Sequence, residues 1–302
     1  MSARPSDPQA EPRPKATVHT FRDKRQRGEP ITVLTAYDYP TARAVEDAGA
    51  DAILVGDSLA MVVLGHPNTL AVTMDEMLHH ARAVSRGARS PLLIGDLPFM
   101  SYQAAVPDAV RSAGRYLQEA GMDAVKLEGG RAFAATAAAI VRSGIPVQGH
   151  IGLTPQSVNA MGGFKVQGRN AEDARGLLED ALSLEDAGCF SVVLEGMPAR
   201  LADLITRRLR IPTIGIGAGP GTSGQVLVLN DLLGLYEKSP KFVRRYADLG
   251  RAMVEAITAF RHDVESGAFP GPEHTYAMPD AEWQAFLESI GEALPEASPA
   301  RA

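Results

Sequence analysis

Four carboxylates stand at the ends of four short apolar runs, and the runs resemble one another. They are Ala52-Ile53-Leu54-Val55-Gly56-Asp57, Leu92-Leu93-Ile94-Gly95-Asp96, Ala124-Val125-Lys126-Leu127-Glu128 and Val192-Val193-Leu194-Glu195. Each run has the length and β-branched content of a buried strand. Acidic groups converging on one place suit a divalent metal ion and a general base. Asp57 and Asp96 are the first candidates for metal ligands. Hard oxygens from two strand ends match Mg²⁺, which takes one or two carboxylates and keeps positions for substrate oxygens and water. Neither H-x-x-H nor C-x-x-C spacing accompanies them, which argues against zinc. The plain alternative is that each Asp caps the helix that follows it or a turn.

Other groups join these carboxylates. Lys126 and Glu128 are two apart on one strand, so both side chains leave the same face. A buried lysine needs an anion. Lys126 is therefore either a cation for a substrate carboxylate or enolate, or half of an internal Lys–Glu pair. His150 closes the run Pro146–His150. A neutral imidazole there can hydrogen-bond a substrate carbonyl or carboxylate, or it is satisfied by backbone groups. Glu195 has apolar neighbours, which raise a carboxyl pKa toward the range of a general base; the alternative is a cap-like carboxylate. Gly215-Ile216-Gly217-Ala218-Gly219-Pro220-Gly221 looks like a phosphate-binding loop after a seventh strand. It opens no βαβ unit with an acidic follow-up, so a tight, backbone-lined wall is the better reading. The loop Gly162–Arg169 is either a lid or an ordinary surface loop.

The elements that must position these residues alternate regularly. Strands are expected at Ile31–Tyr37, Asp51–Asp57, Pro91–Asp96, Ala124–Glu128, Pro146–His150, Ser191–Glu195, Thr213–Gly217 and Val226–Leu229. Helices are expected at Pro40–Ala48, Met74–Arg86, Pro107–Ala120, Ala132–Ser143, Glu172–Ala187, Ala199–Arg208 and from about Lys241 to Ser266. Runs apolar on both faces, alternating with helices, imply a parallel sheet. Eight units predict an α/β protein with a (β/α)8 TIM barrel, whose strand ends converge on one mouth. Three helix-to-strand joints share a phrase: Asp47-Ala48-Gly49-Ala50-Asp51, Glu119-Ala120-Gly121-Met122-Asp123 and Asp186-Ala187-Gly188-Cys189-Phe190. In each, Gly stands where a helix ends in the left-handed region. A short helix at Thr17–Arg27 is placed to close the barrel bottom. The expected organisation is a disordered arm at 1–16, a barrel at 17–276 and a partly disordered helical tail at 277–302. The tail places Trp283, Phe286, Leu287 and Ile290 at helical spacing, to pack on the barrel or on another subunit.

Composition excludes several functions. A net charge of −6 over 302 residues speaks against nucleic acid as the main partner. No apolar run is long enough to span a membrane, and the first residues lack the apolar core of a signal peptide. One cysteine, Cys189, excludes an intrachain disulfide and a multi-cysteine zinc site. It is read as a small core residue in a cytoplasmic protein.

Six motifs occur in order: Val55-Gly56-Asp57-Ser58-Leu59, Asp96-Leu97-Pro98-Phe99-Met100, Val125-Lys126-Leu127-Glu128-Gly129-Gly130, Gly149-His150-Ile151-Gly152-Leu153-Thr154-Pro155-Gln156, Gly163-Phe164-Lys165-Val166-Gln167-Gly168-Arg169 and Ile214-Gly215-Ile216-Gly217-Ala218-Gly219. Together, over roughly Thr17 to His274, they resemble the ketopantoate (3-methyl-2-oxobutanoate) hydroxymethyltransferase family. The resemblance implies a Mg²⁺-dependent barrel of pantothenate biosynthesis. Such an enzyme moves a one-carbon unit from 5,10-methylenetetrahydrofolate to C3 of α-ketoisovalerate, through an enolate. By the same resemblance, Asp57 and Asp96 hold the metal, and Glu128 lies near it through water. Asp57, Ser58, Asp96 and Lys126 bind the keto acid, His150 lines its pocket, and Glu195 is the base. A homo-oligomer, a decamer in the family, is also implied. Ala60 departs from the family's usual Gly, and the segment after His274 extends past its usual end.

Two other readings compete. A phosphoenolpyruvate mutase or isocitrate lyase type of enzyme also uses a barrel, Mg²⁺ and a keto-acid enolate. The Lys-Lys-Cys-Gly-His stretch of the lyase is absent. A non-catalytic metabolite-binding barrel predicts the loss of some charged mouth groups, and Asp57, Asp96, Lys126, Glu128, His150 and Glu195 are all present.

Overall fold

A computed structural model describes residues 13–292. Residues 1–12 of the arm expected at 1–16 therefore lie outside the described residues, as does the end of the tail from residue 293. In chain order the elements are α1 (Val18–Arg27), β1 (Ile31–Thr35), α2 (Tyr39–Asp47), β2 (Ala52–Val55), α3 (Leu59–Val62), α4 (Met74–Gly87), β3 (Leu92–Asp96), α5 (Val106–Ala120), β4 (Ala124–Glu128), α6 (Arg131–Arg142), β5 (Val147–Gly152), α7 (Val158–Met161), α8 (Ala171–Asp186), β6 (Ser191–Glu195), α9 (Ala199–Arg208), β7 (Thr213–Ile216), β8 (Gly224–Leu227), α10 (Leu229–Leu232), α11 (Leu249–Ser266) and α12 (Asp280–Ile290). The chain divides into one compact unit ending at Asp248 and a second beginning at Leu249.

The eight strands close into a parallel barrel in sequential order, with β8 returning to β1. Strand periodicity sorts the side chains. Ile31, Val33, Ala52, Leu54, Leu92, Ile94, Ala124, Val193, Ile214, Ile216 and Val226 form one apolar cluster inside the barrel. Their sequence neighbours Ile53, Leu93, Val125, Val192 and Leu194 belong to the outer cluster that packs on the helices. The alternation follows from successive side chains leaving opposite faces. Phe21 of α1 joins the inner cluster, fully buried, and meets Phe190 edge-on at 5.6 Å. It lies with the first residues of the strands, so α1 closes the bottom as expected.

The shared helix-end phrase has the predicted conformation, with φ of +84° at Gly49, +65° at Gly121 and +91° at Gly188. Its acidic residues serve structure. Asp51 pairs with Lys24 at 2.7 Å and accepts the Thr32 N–H, and Asp123 accepts the Leu93 N–H. Cys189, just ahead of β6, is buried, and burial pushes its thiol up to about 12. Little thiolate then exists at neutral pH. A thiol reagent at pH 8 is expected to leave Cys189 unlabelled until denaturant is added; rapid labelling of the folded protein would contradict this burial.

The second unit differs from expectation at one boundary. Its long helix starts at Leu249 rather than near Lys241. Within this unit Phe260 meets Phe269, and Trp283 meets Phe286. No described helix is long and apolar enough to cross a membrane.

Candidate active site

The four strand-end carboxylates do converge. Asp57 follows β2, Asp96 ends β3, Glu128 ends β4 and Glu195 ends β6, and all line one cavity of 1480 Å³ at the barrel mouth. None of them caps a helix. The N-cap positions after these strands are Ser58, Ala105, Gly130 and Pro198. The capping alternative therefore fails for each.

Lys126 is buried in the middle of this group, and its Nζ donates to Asp96 Oδ1 at 2.6 Å. Glu128 Oε1 is farther, at 3.8 Å. The main partner is thus on the neighbouring strand, where Asp96 and Lys126 are in register, rather than two residues along the same strand. Burial alone would lower the Lys126 pKa; Asp96, Glu128 and Asp57 outweigh it and hold the ammonium above its ordinary range.

Asp57 is a buried carboxylate crowded by other negative charge. Burial pushes its pKa well above the ordinary value, and the negative charges of Asp96 and Glu128 push it the same way. Lys126 and the Gln156 amide offset only part of this. Its backbone N–H donates to Asp96 Oδ2 at 3.1 Å, which ties the two strand ends together. Ser58 comes with it, and its hydroxyl lies 2.8 Å from the Tyr37 hydroxyl.

His150 lines the cavity between two carboxylates. Its Nδ1 lies 3.4 Å from Glu128 Oε1 and its Nε2 lies 3.2 Å from Glu195 Oε2. Burial and the nearby Lys126 both act to lower its pKa, yet the flanking carboxylates of Glu128 and Glu195 raise it to about 9. Glu128, conversely, is held below its usual pKa despite burial, by His150, Lys126 and the Gln156 N–H. These His–carboxylate contacts are ion pairs without hydrogen-bond alignment. Glu128 Oε1 and both His150 nitrogens consequently have no hydrogen-bond partner among the described residues.

Glu195 has a charged neighbour that its sequence neighbours do not show. Val193 and Leu194 are fixed by the strand, but the carboxylate faces His150. Its side chain is 16% exposed against 2–3% for His150 and Glu128, and Asp57 and Asp96 are buried, so Glu195 is the most open of the four strand-end carboxylates. Gly152 sets its backbone. Gly152 has φ of +96°, and a Cβ there would lie 2.1 Å from the Glu195 carbonyl oxygen. Gly152→Ala is expected to cost at least ~2 kcal/mol, from left-handed strain and overpacking. A melting temperature within a degree of wild type would contradict it.

The rest of the cavity wall is mixed. Gly217 and Gly219 lie in it, as the wall reading of the glycine run expected, and the 162–169 loop contributes Phe164, Lys165 and Val166. Three further residues were not singled out from sequence. Tyr37 supports Ser58, while Gln156 and Tyr102 support Asp57 and Glu128. Gln156 stood inside a quoted motif, but nothing in its spacing says which carboxylates it reaches.

The donor set fits a hard divalent cation. Asp57, Asp96, Glu128 and Glu195, against Lys126 and His150, leave two negative charges in the cluster when all are ionised. Buried charge of that kind is costly unless compensated. The orphaned Glu128 Oε1 points the same way. No three described His, Cys, Asp or Glu side chains form a ready metal cage. Mg²⁺ needs none, because it binds through one or two carboxylates and keeps its waters.

A model of the family described as ketopantoate hydroxymethyltransferase matches residues 15–272. The chain is 58% identical over 253 residues to the 3-methyl-2-oxobutanoate hydroxymethyltransferase of Syntrophobacter fumaroxidans, covering 83% of this chain and 90% of that protein. It is 57% identical over 279 residues to the enzyme of the same name from Chloroflexus aggregans, covering 92% and 99%. Among solved structures, a phosphonopyruvate hydrolase crystallised with oxalate and Mg²⁺ aligns with a TM-score of 0.57 at 14% identity, over 91% of this chain and 98% of that one. A 2,3-dimethylmalate lyase of the PEP mutase/isocitrate lyase superfamily aligns with a TM-score of 0.55 at 16% identity, over 90% and 98%. At such identities the likeness concerns the barrel alone.

Proposed function

The chain belongs to the ketopantoate hydroxymethyltransferase family, and from that premise we propose that it converts α-ketoisovalerate to ketopantoate in pantothenate biosynthesis, with 5,10-methylenetetrahydrofolate as one-carbon donor and Mg²⁺ as metal. The observation that carries this reading is the buried cluster at the mouth: Asp57, Asp96 and Glu128 around Lys126, with Glu195 beyond His150. Such a cluster suits a small anionic keto acid whose C3 proton must be removed.

Asp57 and Asp96 would hold the metal, with Glu128 beside it. Bound Mg²⁺ would polarise the keto group and stabilise the charge that develops on its oxygen. Lys126 and the Ser58 hydroxyl bind and orient the keto acid. Glu195, the most open of the four strand-end carboxylates, takes the C3 proton, and the electron pair passes into the enolate. His150 holds Glu195 in place from behind through its Nε2. The enolate carbon then forms a bond to the donor's methylene carbon. Both carbon–nitrogen bonds of the folate's methylene bridge break in all: its carbon gains one bond to the enolate carbon and one to the oxygen of water, and the two folate nitrogens take the two protons released, one from C3 by way of Glu195 and one from the water. The lyase alternative shares the barrel, but its representatives stand at 14–16% identity.

Proton NMR of α-ketoisovalerate with the protein, methylenetetrahydrofolate and Mg²⁺ tests this. Loss of the C3 methine signal and growth of a hydroxymethylene signal are expected, and EDTA should stop both. A folded sample that changes neither signal would overturn the assignment.

A further inference from the structure

One buried residue reaches two of the mouth carboxylates, one through its backbone N–H and the other through its side-chain amide. The Gln156 backbone N–H donates to Glu128 Oε2 at 3.0 Å, and its Nε2 donates to Asp57 Oδ2 at 3.0 Å. The same Nε2 donates to the Leu97 carbonyl at 2.9 Å. On the other side, Gln156 Oε1 accepts from the Tyr102 hydroxyl and from Gln103 Nε2, both at 2.9 Å. A carbonyl only accepts, so the amide nitrogen must face Leu97 and Asp57, and the oxygen must face Tyr102. The orientation is therefore fixed without reference to the charge on Asp57. Both N–H groups and both lone pairs of the amide are used, and the residue is 5% exposed.

The network reaches Glu128 a second time. Tyr102 Oη accepts the Glu128 backbone N–H at 3.1 Å and lies 3.0 Å from its carbonyl. Burial holds this phenol well above its ordinary pKa, so it stays a neutral donor. Gln156 itself sits in a single 3-10 turn, Pro155–Ser157, after β5. One turn thus holds acidic groups from β2 and β4, which would otherwise repel and relax apart.

We propose that Gln156 is a positioning residue that fixes the separation and orientation of Asp57 and Glu128, and so sets the affinity of the mouth for a divalent cation. This rests on the reading of Asp57 and Glu128 as metal-side carboxylates. Groups that orient a metal's carboxylates through hydrogen bonds change metal affinity by ~10–100-fold when removed.

The test is calorimetric titration of the full-length protein with Mg²⁺, wild type against Gln156→Met. Methionine keeps the length of the side chain and removes its donor and acceptor. Mg²⁺ binding is expected to weaken ~10–100-fold. Turnover should recover when Mg²⁺ is raised above the new dissociation constant, so the Mg²⁺ requirement rises more than kcat falls. A merely structural role would lower the melting temperature and leave both metal readouts unchanged. Unchanged Mg²⁺ affinity in folded Gln156→Met overturns the proposal. If that variant does not fold, Tyr102→Phe carries the test, because it removes one of the two donors that anchor Gln156 Oε1. A several-fold weaker Mg²⁺ affinity is then expected, and an unchanged one overturns the proposal. Failure of the wild type to bind Mg²⁺ would instead overturn the underlying reading of Asp57 and Glu128, before any substitution is compared.

Discussion

Glu195→Gln is expected to lower kcat by ~10²–10⁴-fold, the range that a positioned general base contributes, with keto-acid binding little changed. The amide fills nearly the same space and still faces His150, but it cannot take a proton. A second readout isolates the step. In D₂O without the folate, the wild type should exchange the C3 proton of α-ketoisovalerate for deuterium, because exchange needs only the first proton transfer. The exchange rate of the variant should fall in parallel with its kcat. If turnover stayed within threefold of wild type, Glu195 would not be the base. If turnover fell while exchange persisted, Glu195 would belong to the later carbon-transfer steps.

Asp57→Asn is expected to reduce turnover by ~10³-fold, since the substitution removes a charged ligand from a Lewis-acid site worth several kcal/mol. Asn keeps the shape and can still accept from Gln156, so the loss isolates the charge. The metal-free fold should tolerate the change. Burial and the neighbouring Asp96 and Glu128 already disfavour the ionised Asp57, so a neutral side chain relieves repulsion there. Thermal melts separate the two effects. Mg²⁺ should raise the melting temperature of the wild type, because a ligand that binds only the folded state stabilises it. It should do so much less in Asp57→Asn. A variant with near-wild-type activity at ordinary Mg²⁺ would remove Asp57 from the metal site.

Much of this was legible along the chain. The strands β4 and β6 have the expected bounds at both ends, Ala124–Glu128 and Ser191–Glu195. Each is a short apolar run ending in a charged residue before a turn, so the local signal is sharp. Where the boundaries moved, the sequence signal was diffuse. β8 lies at Gly224–Leu227 rather than Val226–Leu229. No helix separates it from β7, so punctuation by a helix end was missing, and the pairing of Ile31 with Gly224 fixes it instead.

Strand ends carry their side chains wherever the barrel closes, and closure follows from a repeated local pattern. That is why the sequence by itself determined the eight-unit barrel, the plug helix with Phe21, and the identity of the acidic strand ends. The state of each group needed the tertiary structure. Lys126 pairs with Asp96 because neighbouring strands bring them into register. The pKa of His150 is pushed up because Glu128 and Glu195 flank it from the two neighbouring strands. Gln156 holds Asp57 from 99 residues away in the chain. Electrostatics and hydrogen bonds act over a few ångströms of space, whatever the separation in sequence. The fold that sets those distances therefore decides charge, partner and role.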